Sequence, residues 1–333
     1  MKYFSVIIVN YNGKRFLPRL LDSLNNQSFR DFEIIFVDNA SKDDSVDFVK
    51  NNYPDVKIIN SQNRGYGHAC NLAAKKTQGR YLIFLNEDMY LDADFLNKMA
   101  SYRQYLERTE KNIGAVSCKL IDFDSDPDLT PKTLGANIDL FGFPIKNRNE
   151  HDIFAVSGCP FSISRDLFFE SKGFNENIFL YGEDLDFSWR LKILGRNNFI
   201  DHNAHIFHYG GGTTGSFGPE KIANNLCCSF IPIFTNFSGT TIFFLLPIYF
   251  LYIMLISLVL FFVKKCDYTY NYEIYKKYKY FWLNIKNIYR FRKFVQKKRI
   301  QNDFFIVKYL SFLPAFLVNM SYEKLSKKYK IVN

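Results

Sequence analysis

The sequence predicts an α/β protein with a doubly wound, mostly parallel sheet, followed by a C-terminal extension of hydrophobic and basic helices. Three observations lead to this prediction. Apolar runs alternate with helical patterns through the first 90 residues, and each apolar run ends in polar residues. Residues 242–263 form 22 consecutive positions without a charged side chain. Residues 264–333 then hold 17 Lys and Arg against 4 Asp and Glu, a net charge of +13.

Four strands and three helices are predicted in the N-terminal part. A continuous apolar run suits a buried parallel strand, and alternation of strands with helices places a ligand site at the carboxyl ends of the strands. The predicted strands lie in YFSVIIVNYN, FEIIFVDNAS, DVKIIN and GRYLIFLNED, and the predicted helices in GKRFLPRLLDSLNNQS, KDDSVDFVKNN and GYGHACNLAAKKT. The weaker pattern that follows predicts a helix over 92–109, a strand over 113–119, a loop-rich stretch over 122–150 and a strand over 197–209.

Polar side chains stand where each of the four predicted strands ends. They are Asn10, Asn12, Asp38, Asn39, Asn63, Asn86 and Asp88. One such residue alone is usually a loop former or a helix cap. Because the carboxyl ends of parallel strands share one edge, four such groups together predict a nucleotide site, in which Asp38 accepts a hydrogen bond from a base N–H or a ribose hydroxyl. Asp88 is then available to bind Mg²⁺ or Mn²⁺ together with a diphosphate.

Three acids begin the predicted helix in FLYGEDLDFSWRLKILG, residues 179–195. Acidic side chains suit the positive end of a helix, so capping explains them at the simplest level. Asp184 shares its helix face with three apolar residues, Phe187, Leu191 and Leu194. Asp186 stands four residues before Arg190, which predicts an ordinary ion pair on the helix. An inward carboxylate is costly unless it is paired, hydrated or bound to a cation, so Asp184 is the functional candidate.

The uncharged run 242–263 is long enough to cross a bilayer, although a buried helix is the alternative. A basic tail outside the cell would oppose the positive-inside preference, so we favour a re-entrant or in-plane segment on the anionic leaflet. Aromatic residues of the tail suit the interface: Tyr275, Tyr278, Phe281, Trp282, Tyr289 and Phe291.

The six cysteines form no CxxC pair and the N-terminus has no signal-peptide pattern, which favours a reducing, cytosolic setting.

Six motifs occur in order between residues 4 and 225: SVIIVNYNGKRFLPRLLDSL, FEIIFVDNASKDDSVDFV, NRGYGHACN, LNEDMYLDADFL, FLYGEDLDFSWRLKILG and IFHYGGGTT. In order and spacing they resemble glycosyltransferase family two, and within it the rhamnosyltransferase-like branch. The segment FRKFVQKKRIQ also resembles the basic tail of that branch. The resemblance implies a GT-A fold and an inverting transfer from a nucleoside diphosphate sugar. Residues 1–225 are then the catalytic domain, and 226–333 a membrane-associated helical region.

The resemblance also assigns roles to individual residues. It gives Asp38 to the nucleotide, Asp88 to the metal and Asp184 to the general base. His208 falls where the family often has a metal or diphosphate contact. Residues 86–88 depart from the usual Asp-x-Asp, because they are Asn-Glu-Asp here. Sugar transfer requires side chains of these kinds. A bound cation neutralises the leaving diphosphate, and a carboxylate takes the proton of the attacking hydroxyl.

We therefore expect a glycosyltransferase that moves a sugar (rhamnose or another deoxyhexose, as the branch implies) to a glycan or lipid-linked acceptor. It would act in cell-surface polysaccharide synthesis at the cytoplasmic face of the cell membrane. The expected donor-binding residues are Asn10, Asn12, Asp38, Asn63 and Asn86, and Glu183 is expected to contact the acceptor. The alternatives are a nucleotidyltransferase or dehydrogenase, whose glycine signatures the chain lacks, and an inactive membrane-attached nucleotide-sugar binder. A nucleic-acid arm would also explain the basic tail, but the adjoining apolar run favours lipid, so no nucleic-acid partner is expected.

Overall fold

The structure, a computed structural model, describes residues 1–123, 135–139, 141–146, 153–156, 159–209, 219–263 and 267–311. The strands are β1 Phe4–Asn10, β2 Phe32–Asp38, β3 Lys57–Asn60, β4 Tyr81–Asn86, β5 Met89–Leu91, β6 Ile113–Asp122, β7 Ala136–Asp139, β8 Pro144–Lys146, β9 Phe161–Ser164, β10 Asn197–His208 and β11 Leu310–Ser311. The helices are α1 Leu17–Asn25, α2 Ser45–Asn52, α3 Tyr66–Ala74, α4 Phe95–Thr109, α5 Arg165–Glu170, α6 Glu183–Ile193, α7 Pro219–Cys227, α8 Phe230–Asn236, α9 Gly239–Val263, α10 Tyr268–Leu283 and α11 Ile285–Lys298. A 3-10 helix covers Asp303–Tyr309.

The main sheet has eight strands in the order β3-β2-β1-β4-β9-β6-β10-β5. The first four predicted strands are confirmed as a parallel set, with β1 between β2 and β4. All seven residues of β1 are buried, which explains its unbroken apolar run. The register pairs Asn10 with Asp38 and Val9 with Asn86, so the polar strand ends lie side by side as predicted.

Two antiparallel strands of this sheet were not predicted. The four-residue β9 lies between β4 and β6 and pairs antiparallel with both, and the three-residue β5 pairs antiparallel with β10. Neither is long enough to show a periodicity, and their directions depend on neighbours that are distant in the chain. The sheet is therefore mixed, although most of its pairings are parallel. Strand β10 then brings the C-terminal half of the chain to the edge next to β5.

A second sheet of three strands, β11-β7-β8, corrects part of the prediction for residues 122–150. Strands β7 and β8 lie within that stretch, which was predicted to be loop-rich. Strand β7 lies between β8 and β11, and β11 comes from a segment more than 160 residues later in the chain. Because this pairing joins distant segments, a local pattern does not reveal it. The rest of the stretch lies outside the described residues, apart from 122–123, 135 and 141–143.

Helix α6 connects two hydrophobic cores. Phe187 and Leu191 lie in the core of the main sheet, whereas Leu185, Trp189 and Ile193 lie in a second core. The second core is completed by residues from the C-terminal helices α7 to α11 and from the small sheet. Helix α6 is therefore enclosed on nearly all sides and does not present a solvent face. The C-terminal region packs directly on the helix that carries the candidate base.

Helix α9 covers the predicted apolar segment. Among the described residues, the one helix with the length and composition of a membrane span is its part Gly239–Val259, with a mean hydropathy of 2.6. One stripe of α9 is buried against the protein: Leu245, Tyr249 and Ile253. The domain boundary predicted between residues 225 and 226 falls inside α7, and it stays a prediction. Residues 264–266 and 312–333 of the basic tail lie outside the described residues.

Candidate active site

The ends of β1 and β2 are held together by a buried pair of polar side chains. Asn10 Nδ2 donates to Asp38 Oδ1 at 3.1 Å and lies 3.0 Å from Ser41 Oγ. The backbone N–H of Ser41 donates to Asp38 Oδ2 at 3.0 Å. Asn10 is fully buried and Asp38 is 5% exposed. Asp38 is thus fixed in orientation at the edge where a nucleotide was predicted.

Further polar contacts tie the neighbouring loops to this pair. Asn12, in the left-handed region at φ 55°, accepts from the backbone N–H of Lys42 at 2.7 Å. Asn39 Nδ2 donates to Asn63 Oδ1 at 3.2 Å, which links the ends of β2 and β3. The structure therefore brings Asn10, Asn12, Asp38 and Asn63 to one edge. Asn86 ends β4 at the same edge and is half-buried.

Residue Glu87, between Asn86 and Asp88, was not assigned a role from the sequence. It is buried beneath the loop that follows β1. A Cβ atom added to Gly13 would lie 2.3 Å from Glu87 Cγ and 2.6 Å from Asn10 Oδ1. Gly13 thus allows this close approach, and Glu87 packs under the loop of the predicted nucleotide edge.

Asp88 and His208, predicted from the sequence to share a metal, lie in contact. Asp88 Oδ1 is 3.2 Å from His208 Nε2, with side-chain exposures of 6% and 18%. The N–H of Tyr209 donates to the Asp88 carbonyl at 3.0 Å, which fixes β10 beside the end of β4. Within the described residues, Asp88 Oδ1 is buried and receives no hydrogen bond.

A divalent cation fits this pair. Two neighbouring ligands of an octahedral ion with bonds of about 2.1 Å lie about 3 Å apart, close to the separation of Oδ1 and Nε2. Carboxylate and imidazole are suitable ligands for Mn²⁺, and a diphosphate and water supply the other positions. No group of three His, Cys, Asp or Glu side chains arranged to hold a metal occurs in the described part of the chain. The cation would therefore depend on the bound donor for part of its coordination.

The candidate base stands at the start of α6, after a sharp backbone turn. Tyr181 and Gly182 have φ of 66° and 91°. A Cβ on Gly182 would lie 2.3 Å from the carbonyl oxygen of Cys228, so glycine is needed where the chain passes under the end of α7. Asp184 follows and is half-buried. Its position at the opening of the helix turn leaves it less buried than its apolar neighbours on the same face.

The ion pair predicted between Asp186 and Arg190 is confirmed. Both side chains are completely buried, and Arg190 NH2 donates to Asp186 Oδ2 at 3.1 Å. The C-terminal helices cover this side of α6, which the periodicity of one helix cannot reveal. The assignment of Asp186 to structure rather than to catalysis is consistent with this enclosed pair.

Burial raises the pKa of the Cys159 thiol above its ordinary value, and the charges of Glu183, Asp184 and Asp88 add to the increase. Two of these acids belong to the start of α6, and the third follows β4. The Tyr66 hydroxyl lies 2.6 Å from Cys159 Sγ, and the backbone N–H of Tyr66 donates to the Phe179 carbonyl oxygen at 3.1 Å. Sequence reasoning missed Tyr66 and Cys159, because no local pattern marks either residue.

Glu183 is buried beside Asp184, and its Oε2 has no hydrogen-bond partner in the described residues. Burial, and then the charge of Asp184, raise the pKa of Glu183 from 4.5 to about 8. At neutral pH the Glu183 carboxyl thus keeps its proton and can donate a hydrogen bond to an acceptor hydroxyl.

The Glu183 pKa predicts a pH dependence of stability. Between about pH 4.5 and 8 the folded protein keeps a proton that the unfolded chain has released, so this group's contribution to stability falls as pH rises. Relative to Glu183→Gln, the wild-type free energy of unfolding should decrease by about 1.4 kcal/mol per pH unit in this window. Urea unfolding at pH 5 to 8.5 measures it, with the exposed Glu110→Gln as control. Parallel curves for wild type and Glu183→Gln would contradict the assignment.

Comparisons with known proteins identify a family that the N-terminal half of the chain resembles. Residues 5–170 match the family model described as glycosyl transferase family 2. The poly(ribitol-phosphate) beta-N-acetylglucosaminyltransferase TarS of Staphylococcus aureus is 31% identical over 108 residues, which are 31% of this chain and 19% of TarS. An uncharacterized glycosyltransferase of Rickettsia prowazekii is 27% identical over 210 residues, which are 61% of this chain and 62% of that protein. The chain spans less than a third of the length of two curated relatives that it matches. The match covers 29% of an uncharacterized glycosyltransferase of Haemophilus influenzae and 19% of TarS.

A crystal structure of GalNAc-T7 with UDP, GalNAc and Mn²⁺ has a similar fold. The TM-score is 0.55 at 16% sequence identity, and the similarity covers 71% of this chain and 48% of that chain. At this identity the likeness concerns the fold alone, and it confirms the α/β, GT-A-like architecture expected from the sequence. Residues 5–170, about half of the chain, are therefore a segment similar to glycosyl transferase family 2.

Proposed function

We propose that this protein is an inverting glycosyltransferase that moves a sugar from a nucleoside diphosphate donor to a hydroxyl of a glycan or lipid-linked acceptor. The observation that carries the proposal is the contact of Asp88 with His208 at 3.2 Å, on the sheet whose neighbouring strand ends carry the buried Asn10–Asp38 pair. A transferase of this kind needs an anion-binding side and a proton-accepting side in one cleft. We assign Asp88 to the first side and Asp184, from a different element, to the second.

The residues then have distinct tasks. Asp38, held by Asn10, accepts a hydrogen bond from the nucleoside, with Asn12, Asn63 and Asn86 at the same edge. Asp88 and His208 would hold Mg²⁺ or Mn²⁺, which neutralises the charge of the departing nucleoside diphosphate when bound. Asp184 accepts the proton of the acceptor hydroxyl as the new glycosidic bond forms. Glu183, protonated at neutral pH, donates to an acceptor oxygen and orients it.

The relatives point to more than one sugar. TarS is named for transfer of N-acetylglucosamine, and the GalNAc-T7 structure contains UDP and GalNAc. The motifs of this chain instead resemble the rhamnosyltransferase-like branch, and we propose a deoxyhexose such as rhamnose as the donor sugar. TarS is also named for poly(ribitol-phosphate), which supports a polymer as acceptor, and we propose that this polymer belongs to the cell surface.

A panel of donors tests the proposed function. Full-length protein with Mn²⁺ is incubated with dTDP-rhamnose, UDP-N-acetylglucosamine, UDP-N-acetylgalactosamine, UDP-glucose and GDP-mannose, first by thermal shift. Release of nucleoside diphosphate is then followed with a polyprenyl-diphosphate-linked sugar as acceptor. We expect one donor to raise Tm and to be turned over. Binding without turnover of any donor would favour the inactive nucleotide-sugar binder instead.

We propose further that the protein lies on the cytoplasmic face of the cell membrane. Helix α9 has 25 residues, or about 37 Å at 1.5 Å per residue, but its stripe at Leu245, Tyr249 and Ile253 packs on the protein. Beyond Ile253 only residues 254–263 extend further, about 15 Å, or half of a hydrocarbon core of about 30 Å. In a shallow or in-plane position, the buried stripe of α9 stays packed on the protein while the exposed apolar side of the helix contacts lipid.

The surfaces of α10 and α11 support this placement. One face of α10 exposes a mixture of aromatic, apolar and basic side chains. They are Tyr272, Tyr275, Lys276, Lys279, Trp282 and Leu283. Helix α11 buries one stripe and exposes a basic one, at Lys286, Arg290, Lys293 and Lys297. Not all of the predicted interfacial residues are available, because Phe281 and Phe291 are buried in the second core. Arg292 and Arg299 likewise bind backbone carbonyls inside the protein.

Binding to vesicles tests the membrane proposal. Each basic residue near an anionic leaflet contributes about 1 kcal/mol, so replacing the four basic residues of the α11 stripe by Gln should weaken binding to anionic vesicles at least tenfold. The control replaces four exposed lysines of the N-terminal half: Lys50, Lys75, Lys76 and Lys111. The wild-type preference for anionic over neutral vesicles should also decrease with salt. Equal binding by both quadruple variants would contradict the role of the stripe, and protease cleavage within 267–303 from outside sealed cells would contradict the topology.

A further inference from the structure

The acid two residues after the proposed base is bonded to the C-terminal helices. Asp186 Oδ1 accepts hydrogen bonds from Thr235 Oγ1 at 2.8 Å and from Asn236 Nδ2 at 3.0 Å. Both donors end α8 and are fully buried, like Asp186 itself. With the bond from Arg190 to Oδ2, both oxygens of this carboxylate have charged or polar donors. A buried carboxylate with such partners is held in one orientation.

Arg190 extends this connection to two further parts of the protein. Its NH1 donates to the carbonyl oxygens of Ser171 and Gly173, in the segment that follows α5. Its guanidinium lies 4.9 Å from the ring centre of Phe291 on α11. Burial lowers the pKa of Arg190, while Asp186 opposes that change. The Asp186–Arg190 pair is therefore bonded on one side to the sheet domain and packed on the other against α11.

The end of α8 is in turn held by α11. The carbonyl oxygens of residues 234–237 accept from two side chains of that helix and from Arg299, which directly follows it. Arg292 NH1 donates to Phe237 O at 2.7 Å, Gln296 Nε2 donates to Thr235 O at 2.9 Å, and Arg299 NH2 donates to Asn236 O. The orphan carbonyls at the end of a helix are thus satisfied by side chains rather than by water. Thr235 and Asn236 have little freedom to move away from Asp186.

The same set of bonds reaches the start of the apolar helix. Arg299 NH1 donates to Asp303 Oδ1 at 2.8 Å, and Asp303 Oδ2 accepts from Ser238 N at 2.9 Å and Thr241 Oγ1 at 2.6 Å. Ser238 and Thr241 lie at the first turn of α9. A continuous series of bonds thus connects the first turn of α6 with the first turn of α9.

We propose that Asp186 is a positioning residue, which couples the orientation of Asp184 to the C-terminal helices through Thr235 and Asn236. The first turn of a helix has few backbone hydrogen bonds of its own, so its geometry depends on side-chain contacts. Asp184 lies in that turn, two residues after the left-handed Gly182 and two residues before Asp186, whose carboxylate is bonded at both oxygens. The proposal rests on the assignment of Asp184 as base. It makes the C-terminal helices part of the catalytic unit.

The variant pair Thr235→Val and Thr235→Ser tests this coupling in the full-length protein. Valine keeps the size of the side chain and removes the hydroxyl, whereas serine retains the bond to Asp186. Turnover is followed with whichever donor of the panel described above is active. We expect Thr235→Val to lower kcat about tenfold or more with the donor KM within twofold, because a base displaced by a fraction of an ångström loses its reaction geometry. Thr235→Ser should remain within about threefold of wild type.

Amide hydrogen exchange provides a readout that is independent of activity. Peptides covering residues 182–193 should exchange faster in Thr235→Val than in wild type, and peptides of α3 should not change. Unchanged kcat and exchange in Thr235→Val, or a lower Tm with wild-type kcat, would overturn the proposal. If Thr235→Val does not fold, Asn236→Ala removes the other bond to the same oxygen and is judged by the same criteria. Wild-type turnover in Asp184→Asn would instead refute the assigned base, and the exchange data would still report on the coupling.

Discussion

Asp184→Asn is expected to lower kcat by about 10²-fold or more while donor affinity remains near the wild-type value. Removal of a positioned general base costs about 10² to 10⁴ in rate. Asparagine has almost the same size and cannot accept the acceptor proton, so the change isolates the chemistry. The helix turn should persist, because its neighbours Gly182 and Asp186 are unchanged.

The measurement compares kcat and donor KM for wild type, Asp184→Asn and a matched control. Asp166 is suitable as that control, because it is an exposed acid in the first turn of another helix, α5. Asp166→Asn should behave as wild type. If Asp184→Asn turned over at the wild-type rate, another group would have to accept the proton, and the proposed role of the α6 start would be wrong.

Loss of the Asp88–His208 pair is expected to abolish metal-dependent donor binding and, with it, transfer. A ligand at 100 times its Kd stabilises a protein by about 2.7 kcal/mol, and this stabilisation disappears with the site. In thermal shift with UDP and Mn²⁺, Asp88→Ala and His208→Ala should lose the increase in Tm that wild type shows. Excess EDTA should have the same effect on wild type and should stop turnover.

Strand β10 offers a matched control for the histidine. His205 lies three residues earlier, and its Nε2 is 3.7 Å from Asp92 Oδ2, so it forms a similar acid–imidazole contact away from the site. His205→Ala should keep the response to Mn²⁺. Full transfer activity in excess EDTA would contradict metal dependence, and the diphosphate would then have to be neutralised by the protein alone.

Much of the nucleotide edge followed from the sequence. The runs that end in Asn10, Asp38, Asn60 and Asn86 are strands, and the polar residues at their ends lie together. This part was predictable because buried parallel strands have continuous apolar runs and share one carboxyl edge. The contact between Asp88 and His208 had a weaker basis, since 120 positions separate the two residues and only the resemblance connected them.

The second core could not be anticipated in the same way. The sequence predicted the ion pair of Asp186 with Arg190 on α6, but no local pattern indicated that α8 packs against α6 and donates to this acid. Periodicity reports how one element distributes polarity, and it contains no information about which distant segment packs on it. The antiparallel strands β5 and β9 were missed for a related reason, since their three and four residues depend on partners from elsewhere in the chain.

The sequence by itself determined the class of fold, the polar edge of the sheet and the identity of the acids at the start of α6. It did so because these features are local: strand burial, residue type and spacing along the chain. The tertiary structure alone decided that Asp184 is half-buried, that burial raises the pKa of Glu183, and that Asp186 is enclosed in bonds to Thr235 and Asn236. Those distinctions depend on desolvation and on hydrogen-bond donors supplied by helices some 50 to 115 residues further along the chain, so only the folded protein contains them.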